Sequence, residues 1–267
     1  MLKINPLLLA AVGMVSAVAY AAPELKVTSV GQYIEIDNEY GKDKYTVHFA
    51  NEVGLAYEDW TFGLLARKAW DVNKDEDSVH SSNHRLQFDA WRAFDGYKLG
   101  MRWRAQKDFD RLYLRGAYSQ GMFSGWADVW YQFNNVNADD NYEMEIMPIA
   151  VTYGPFKIGY FFNNKDFLGD SNNREETEHQ IRAYVNYKFE NLATYAEFRY
   201  SLGREEKSVD VYDAGDYMKL EVGASYPVTE NLTVKGYYAY EYGDKTKEAG
   251  EGKKRYGETC LGWTYTF

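Results

Sequence analysis

The feature that most restricts the fold of this chain is an alternation, residue by residue, of apolar with polar or small side chains. Residues 261–267 read LGWTYTF, in which every second residue is large and apolar. Successive side chains of a β-strand point to opposite faces, whereas an amphipathic α-helix needs apolar residues three and four positions apart. The segment is therefore predicted to be a strand with one apolar face and one polar face.

The same period of two recurs along the whole chain, as in residues 97–103 and 218–226, and we find no segment with the spacing of an amphipathic helix. These segments predict an all-β chain of about fourteen strands, with twelve as the alternative. In residues 142–153 the apolar positions change phase at Pro148, which predicts a β-bulge there. The strands are expected to begin near the following residues: Leu25, Lys44, Trp60, Asn83, Tyr97, Arg111, Met122, Tyr142, Phe156, Glu178, Leu192, Asp216, Asn231 and Lys254.

The connections between these strands alternate in length. Tight turns are predicted at residues 58–59, 95–96, 119–121, 154–155, 190–191 and 227–230, and longer polar loops at 37–43, 71–82, 134–141, 163–177, 203–215 and 243–253. Only the connection at 107–110 departs from this rule. Short turns at one end and long loops at the other, joining an even number of strands, are typical of bacterial outer-membrane barrels.

Aromatic residues flank nearly every tight turn, where they would form a girdle at the membrane interface. A soluble β-sandwich or a secreted barrel with a packed core would show the same alternation. However, the predicted strands of about 10 to 13 residues exceed the usual 5 or 6 and match the roughly 9 to 11 tilted residues that cross a bilayer. The predicted fold is a transmembrane antiparallel up-and-down β-barrel.

The beginning of the chain has the pattern of an export signal. Residues 1–21 combine Lys3, an apolar run over 7–18 and the small-x-small sequence Ala19-Tyr20-Ala21. We expect this segment to be removed, which leaves 22–267 as a single barrel domain in the bacterial outer membrane. No later segment has the roughly 18 unbroken apolar residues of a membrane helix. The single cysteine, Cys260, excludes an internal disulfide framework.

A basic segment, RWRAQKDFDRLYLRG over residues 102–116, stands out in a chain of formal net charge -10. The apolar residues of 97–103 and 112–114 occupy the phase that faces lipid, so the basic residues between them must face the lumen. Charged groups in a membrane barrel require water or a counter-charge, and a barrel of this size leaves a pore of intermediate bore. The predicted pore-lining and selectivity residues are Arg67, Arg85, Arg102, Arg104, Arg111, Tyr113 and Arg115, with Arg182, Glu197 and Arg199 opposite. The alternative is an internal network of arginines and acids that only stiffens the wall.

Two short segments resemble known outer-membrane families. The sequence RLYLRG, residues 111–116, resembles a segment of the oligogalacturonate-specific porins, which are monomeric barrels with a basic lumen that passes acidic oligosaccharides. The ending GWTYTF is similar to that of most outer-membrane barrels, in which the assembly machinery reads the final aromatic residue, here Phe267. The resemblance implies that Arg111 and Arg115 contact an acidic solute. The oligogalacturonate porins have twelve strands, whereas the strand count here is similar to that of the fourteen-stranded outer-membrane protein G family.

Other kinds of chemistry find less support. Residues 80–84, HSSNH, faintly resemble the His-x-Ser-Asn-Gly motif of the outer-membrane phospholipase, with His84 in place of the glycine. A phospholipase-like or protease-like barrel enzyme, which would lose activity on Ser82→Ala, and a plugged structural or adhesin barrel stay as alternatives. Four scattered histidines and one cysteine indicate no metal site, and we expect neither a cofactor nor a nucleic-acid partner.

The prediction from sequence is therefore a monomeric outer-membrane porin that admits small hydrophilic solutes, including acidic sugars, without catalysis. Its other expected partners are outer-membrane lipid, lipopolysaccharide and the barrel-assembly machinery. Histidines in or beside long loops titrate near neutral pH, and the outer-membrane protein G family closes its loops in acid. A pH gate built on His80, His84 and His179 is therefore a further hypothesis.

Overall fold

The computed structural model describes residues 24–39, 44–135, 139–169, 174–206, 211–212, 214–243 and 255–267. The predicted signal peptide lies outside these residues. All regular elements in the described ranges are strands. No helix among them is long and apolar enough to cross a membrane. The strands are β1 (Lys26–Glu39), β2 (Lys44–Tyr57), β3 (Trp60–Asn73), β4 (Ser78–Ala93), β5 (Tyr97–Gln106), β6 (Phe109–Gln120), β7 (Phe123–Asn134), β8 (Asn141–Tyr153), β9 (Phe156–Phe167), β10 (Glu175–Phe189), β11 (Leu192–Glu206), β12 (Val211–Tyr212), β13 (Tyr217–Pro227), β14 (Leu232–Gly243) and β15 (Arg255–Thr266).

Fourteen of these strands close into one antiparallel barrel. Each strand pairs with its neighbours in the chain, β10 pairs with β11, β11 with β13, and β15 returns to β1. The two-residue strand β12 pairs only with β11 and lies outside the ring. The predicted all-β barrel is confirmed, and the strand starts agree within three residues at every barrel strand except the fourth.

The two faces of the barrel differ in chemistry, as the alternation predicts. On β5 and β6, Leu99, Trp103 and Leu114 expose 54%, 43% and 68% of their surface. On the opposite face of the same strands, Arg102, Arg104, Tyr113 and Arg115 are charged or polar and are largely covered. A continuous exposed apolar surface of this kind marks contact with a membrane, because water would be excluded from it at a large gain in free energy. The exposed apolar face is therefore the outside, and the polar face lines the lumen.

The connections place tight turns at one end of the barrel, here called the turn end, and longer connections at the other, here called the loop end. Gly96 and Gly154 have φ values of 77° and 57° in their turns, a conformation that favours glycine. Exposed rings surround the turn end, among them Tyr153, Phe156 and Phe189 with 81%, 59% and 59% of their surface exposed. Rings of this kind suit a membrane interface, as the sequence indicates.

The fourth strand is where the sequence prediction is wrong. The expected long loop over 71–82 is a four-residue turn, Lys74 to Asp77, because β4 begins at Ser78. His80 and His84 therefore lie in a strand, and β10 includes His179 in the same way. Alternation reveals only the part of a strand that contacts lipid. Beyond that part the backbone pairing continues while both faces are polar, so the sequence pattern ends before the strand does.

The predicted bulge at Pro148 is confirmed. The register between β8 and β9 shifts between Ile146 and Ile149, and the register between β7 and β8 shifts opposite it. Met147, which is fully buried, keeps the lumen phase of Glu145, and the shift after it returns Ile149 to the outer face, where it exposes 47% of its surface. The Tyr118 hydroxyl on β6 donates to the carbonyl oxygen of Pro148 on β8 at 2.8 Å, and this contact helps to hold the bulge in place.

Candidate functional site: an arginine-rich lumen wall

Six arginines on four adjacent strands share the lumen face. We call this group the arginine wall: Arg67 on β3, Arg85 on β4, Arg102 and Arg104 on β5, and Arg111 and Arg115 on β6. None of them is exposed, and each is flanked along its strand by residues of the outer face. The strand register brings the group together, as parity in the sequence predicts.

One level of the wall contains two arginines and no acid. The register aligns Gln87, Arg104, Arg111 and Gln132 across β4 to β7. The Arg104 Nε–H donates to Gln87 Oε1 at 3.0 Å, and the Arg111 Nε–H donates to Gln132 Oε1 at 2.6 Å. Within the described part of the chain, neither arginine forms an ion pair with a carboxylate. We call these four residues the amide-bound arginine row.

This row is unfavourable for stability taken by itself. Arg104 and Arg111 are direct cross-strand neighbours, and like charges in that position destabilise a pair of strands. Arg67 and Arg85 are also opposite each other, with Arg67 Nη1 2.7 Å from Glu35 Oε1 and the Arg85 guanidinium 3.0 Å from the side-chain amide of Gln106. Amide partners orient a guanidinium without neutralising it. The part of the arginine wall nearer the loop end, which contains Arg67, Arg85, Arg104 and Arg111, therefore keeps a net positive charge.

The next two levels towards the turn end, which contain Arg102 and Arg115 respectively, are neutralised. Arg102 and Arg115 both contact Asp89 Oδ1 at 2.7 Å, and Arg115 also holds Asp128 through two contacts of 2.9 Å. The side-on geometry with Asp128 is that of a bidentate arginine–carboxylate pair. For Arg102 and Arg115 the structure thus shows the network that stiffens the wall.

Two aromatic rings lie beneath the guanidinium groups. Tyr113 and Trp130 pack with their centroids 5.0 Å apart and expose only 3% and 5% of their surface. Arg102 and Arg104 lie over the Tyr113 ring at 5.6 and 5.4 Å, and Arg111 lies over Trp130 at 5.2 Å. Rings so covered have no free face for a sugar. They form a platform that holds the arginines by cation–π contact.

The residues predicted opposite the wall are on β10 and β11, seven strands around the ring of fourteen from β3 and β4. Arg182 and Arg199 are cross-strand neighbours there. The Arg182 Nε–H donates to Gln180 at 2.9 Å, whereas Arg199 pairs with Glu197 at 2.6 Å. This side repeats the pattern of the wall, with one amide-bound arginine and one neutralised arginine.

A cavity of about 830 Å³ opens at the loop end. Acidic residues dominate its charged lining: Asp37, Asp71, Glu76, Glu241 and Glu258, against Lys44 and His80. It lies mainly between β1 to β4 on one side and β14 and β15 on the other. The described lumen therefore has an acidic entrance on one side and a basic wall on β3 to β6.

The three histidines of the gate hypothesis do not lie together. His80 lines the loop-end cavity, while His84 is opposite Lys68 on the outer face. His179 is also on the outer face, where its Nδ1 is 2.5 Å from the Tyr160 hydroxyl. The sequence reasoning also missed Gln87, Gln106 and Gln132, the amide partners of the arginines. Their positions in the lumen phase were readable from the alternation, but their contacts required the register.

A closed antiparallel barrel with an apolar exterior and a charged interior is the fold of bacterial outer-membrane barrels, and solved structures of that class match this chain. OmpT, an outer membrane protein of Vibrio cholerae, is 15% identical over 94% of this chain and 100% of that chain, with a TM-score of 0.51. A bacterial polysaccharide outer membrane secretin is 10% identical over 90% and 98%, with a TM-score of 0.57. CdiB from Acinetobacter baumannii is 8% identical over 91% of this chain and 60% of that chain, with a TM-score of 0.53. These likenesses show the fold. No protein-family model matches the sequence, and no curated protein does.

Proposed function

We propose that this chain is a porin of the bacterial outer membrane, a passive channel for small hydrophilic solutes that favours anions, including acidic saccharides. One chain forms one channel, with the turn end in the periplasm and the loop end outside the cell. The observation that carries the proposal is the amide-bound arginine row. Two like charges are held against each other, at a cost in stability, where they face the lumen and pair with no carboxylate of the described residues.

The row is suited to binding an anion in passing. Gln87 and Gln132 hold the Nε–H groups, so the planes of Arg104 and Arg111 are fixed from behind. The terminal amino groups then form a fork that fits a carboxylate or phosphate, with Arg111 Nη1 also donating to the Tyr113 hydroxyl at 3.4 Å. Because both guanidinium groups are already oriented, an anion loses little free energy in ordering them. Conduction also requires that the anion bind weakly enough to leave, which contact with one or two arginines in a water-filled lumen allows.

The two neutralised levels have a different role in this proposal. Arg102 and Arg115 are fixed by Asp89 and Asp128, so they support the wall. The resemblance of residues 111–116 to the oligogalacturonate-specific porins assigns solute contact to Arg111 and Arg115. The amide contact of Arg111 supports solute contact by that residue, and the two ion pairs of Arg115 support a positioning role for it in this proposal.

The location and biogenesis of the protein follow the same proposal. Residues 1–21 direct export and are removed, and Phe267, which exposes 69% of its surface, is presented to the assembly machinery. Lipid and lipopolysaccharide cover the outer face. Catalysis has no part in the proposal.

Single-channel recording tests the function. The wild-type protein, refolded and inserted in a planar bilayer, is expected to conduct and to prefer chloride in a potassium chloride gradient. Changing Arg104→Gln and Arg111→Gln together is expected to shift the reversal potential towards the cation. Acidic oligosaccharides are expected to block the wild-type channel more strongly than this variant.

The matched control is Arg92→Gln, because Arg92 lies at the turn end with 47% of its side chain exposed. An unchanged reversal potential in the double variant would contradict control of permeation by the row. Absence of conductance in the wild type would contradict the porin function itself and favour a plugged barrel or an enzyme.

A further inference from the structure

A second cluster of ionisable side chains lies in the lumen on β1 and β2. Glu35 and Asp37 are two residues apart on the same face of β1, and His48 on β2 is opposite Glu35. His48 Nε2 lies 2.9 Å from Asp37 Oδ2 and 3.9 Å from Glu35 Oε1. One donor atom from each of the three residues lies within 4.8 Å of the others. The cluster therefore brings one nitrogen and two oxygen ligands to a common point.

The described residues satisfy only part of the polar groups of this cluster. His48 exposes only 7% of its surface, and its Nδ1 atom is buried without a hydrogen-bond partner among the described residues. The Asp37 Oδ1 atom is also buried without a hydrogen-bond partner among these residues. A neutral imidazole has one N–H, so His48 cannot donate to both carboxylates through Nε2. Buried polar atoms without partners are rare in native structures and call for an explanation such as a bound ion.

The surrounding charges favour a cation. Asp37 is opposite Glu258 on β15, so three carboxylates gather here. Two basic groups face them: Arg67 Nη1 is 2.7 Å from Glu35 Oε1, and Lys219 Nζ is 3.9 Å from Glu258 Oε2. The Tyr237 hydroxyl donates to Glu35 Oε2 at 3.1 Å, which holds that carboxylate in place. Three carboxylates therefore face two basic groups, and the cluster keeps an excess of negative charge.

We propose that Glu35, Asp37 and His48 form a binding site for a late first-row divalent transition-metal ion, for which Zn²⁺ is the probe. Such ions take imidazole nitrogen and carboxylate oxygen at about 2.0 to 2.2 Å, so two ligands of one ion lie roughly 3 to 4 Å apart. The observed 2.9 and 3.9 Å fit that range. An imidazole in the set disfavours Mg²⁺ and Ca²⁺, which prefer oxygen ligands alone. Water completes the coordination.

The ion has a route to the site. Asp37 lines the loop-end cavity, and 46% of its side chain is exposed. Glu35 and His48 lie behind it with 12% and 8% of their side chains exposed. An ion that enters the cavity therefore meets Asp37 first and the buried ligands next. The outer-face histidines, His84 and His179, have no part in the site.

Titration calorimetry with zinc chloride on the refolded protein in detergent tests the site. The wild type is expected to bind one Zn²⁺, and His48→Asn is expected to weaken binding by at least about tenfold, since even partners outside the ligand shell are worth 10- to 100-fold. Asp37→Asn is expected to weaken binding similarly. Its side chain is half exposed, so it provides the test if His48→Asn does not fold. Co²⁺ is expected to give visible absorption bands in the wild type that both variants lose.

The matched control is His80→Asn, because His80 lines the same cavity but lies outside the cluster. Equal affinity of the wild type and the His48 or Asp37 variants, or an equal loss in His80→Asn, would overturn the proposal. Neither measurement involves conductance. The metal site and the porin function can therefore fail separately.

Discussion

The assignment of faces predicts that a charge on the outer surface is costly in proportion to its depth in the bilayer. Leu114 is the sixth residue of the twelve in β6 and exposes 68% of its surface. Leu114→Arg places a guanidinium near the middle of the hydrocarbon layer, where arginine in a barrel costs about 2 to 4 kcal/mol. That cost corresponds to a loss of roughly 30- to 700-fold in the ratio of folded to unfolded protein.

The same substitution at the interface provides the control. Leu192 follows the turn at Glu190 and Asn191 and exposes 38% of its surface. Leu192→Arg is expected to cost only about 0 to 1 kcal/mol, because the side chain reaches the headgroups and water. The assay is reversible unfolding in guanidinium chloride in the presence of lipid vesicles, followed by tryptophan fluorescence. If Leu114→Arg is no more destabilising than Leu192→Arg, the apolar face does not contact lipid and the assignment of faces is wrong.

Three further predictions concern the wall, the bulge and the two faces. Asp128→Asn leaves Arg115 without its bidentate partner and is expected to cost about 1 to 3 kcal/mol in the same unfolding assay. The control is Asp59→Asn, which loses only the exposed 3.8 Å contact to Arg92 and is expected to change stability by less than about 1 kcal/mol. Gly125→Ala is expected to destabilise the barrel by about 1 to 3 kcal/mol, because the added carbon would lie 2.7 Å from the carbonyl oxygen of Met147 at the bulge; an unchanged unfolding midpoint would mean that the bulge yields. Spin labels at Leu99 and Arg102 are expected to be relaxed by oxygen dissolved in lipid and by a water-soluble reagent, respectively, and the reverse result would contradict the assigned faces.

The arginine wall shows how far parity carries a sequence argument. Once the apolar residues of β5 and β6 are assigned to lipid, Arg102, Arg104, Arg111 and Arg115 must share the lumen, because successive side chains of a strand alternate. No folding calculation is needed for that step. The division of the wall into amide-bound and neutralised levels could not be predicted in the same way. It depends on which residues of four strands lie at one height, and that is a property of register.

The Glu35, Asp37 and His48 cluster shows the same limit. His48 is 13 and 11 positions from Glu35 and Asp37 in the chain, and nothing in this spacing resembles a metal-binding motif. The β1–β2 register places His48 opposite Glu35, and closure of the ring brings Glu258 of β15 against Asp37. A hairpin register centred on the predicted 37–43 loop would have paired Glu35 with Tyr45, three residues short of His48. The pairing of Asp37 with Glu258 exists only in the closed barrel.

The sequence by itself determined the strand class, the approximate strand count and the face on which each side chain lies. The reason is that every second residue of a membrane-spanning strand faces lipid and must be apolar, and this alternation is visible in the sequence. The tertiary structure alone decided where strands end beyond the membrane, as at Ser78, and which charges meet inside the lumen. Those outcomes depend on backbone pairing between strands and on bulges, and neither leaves a periodic trace in residues that contact only water and one another.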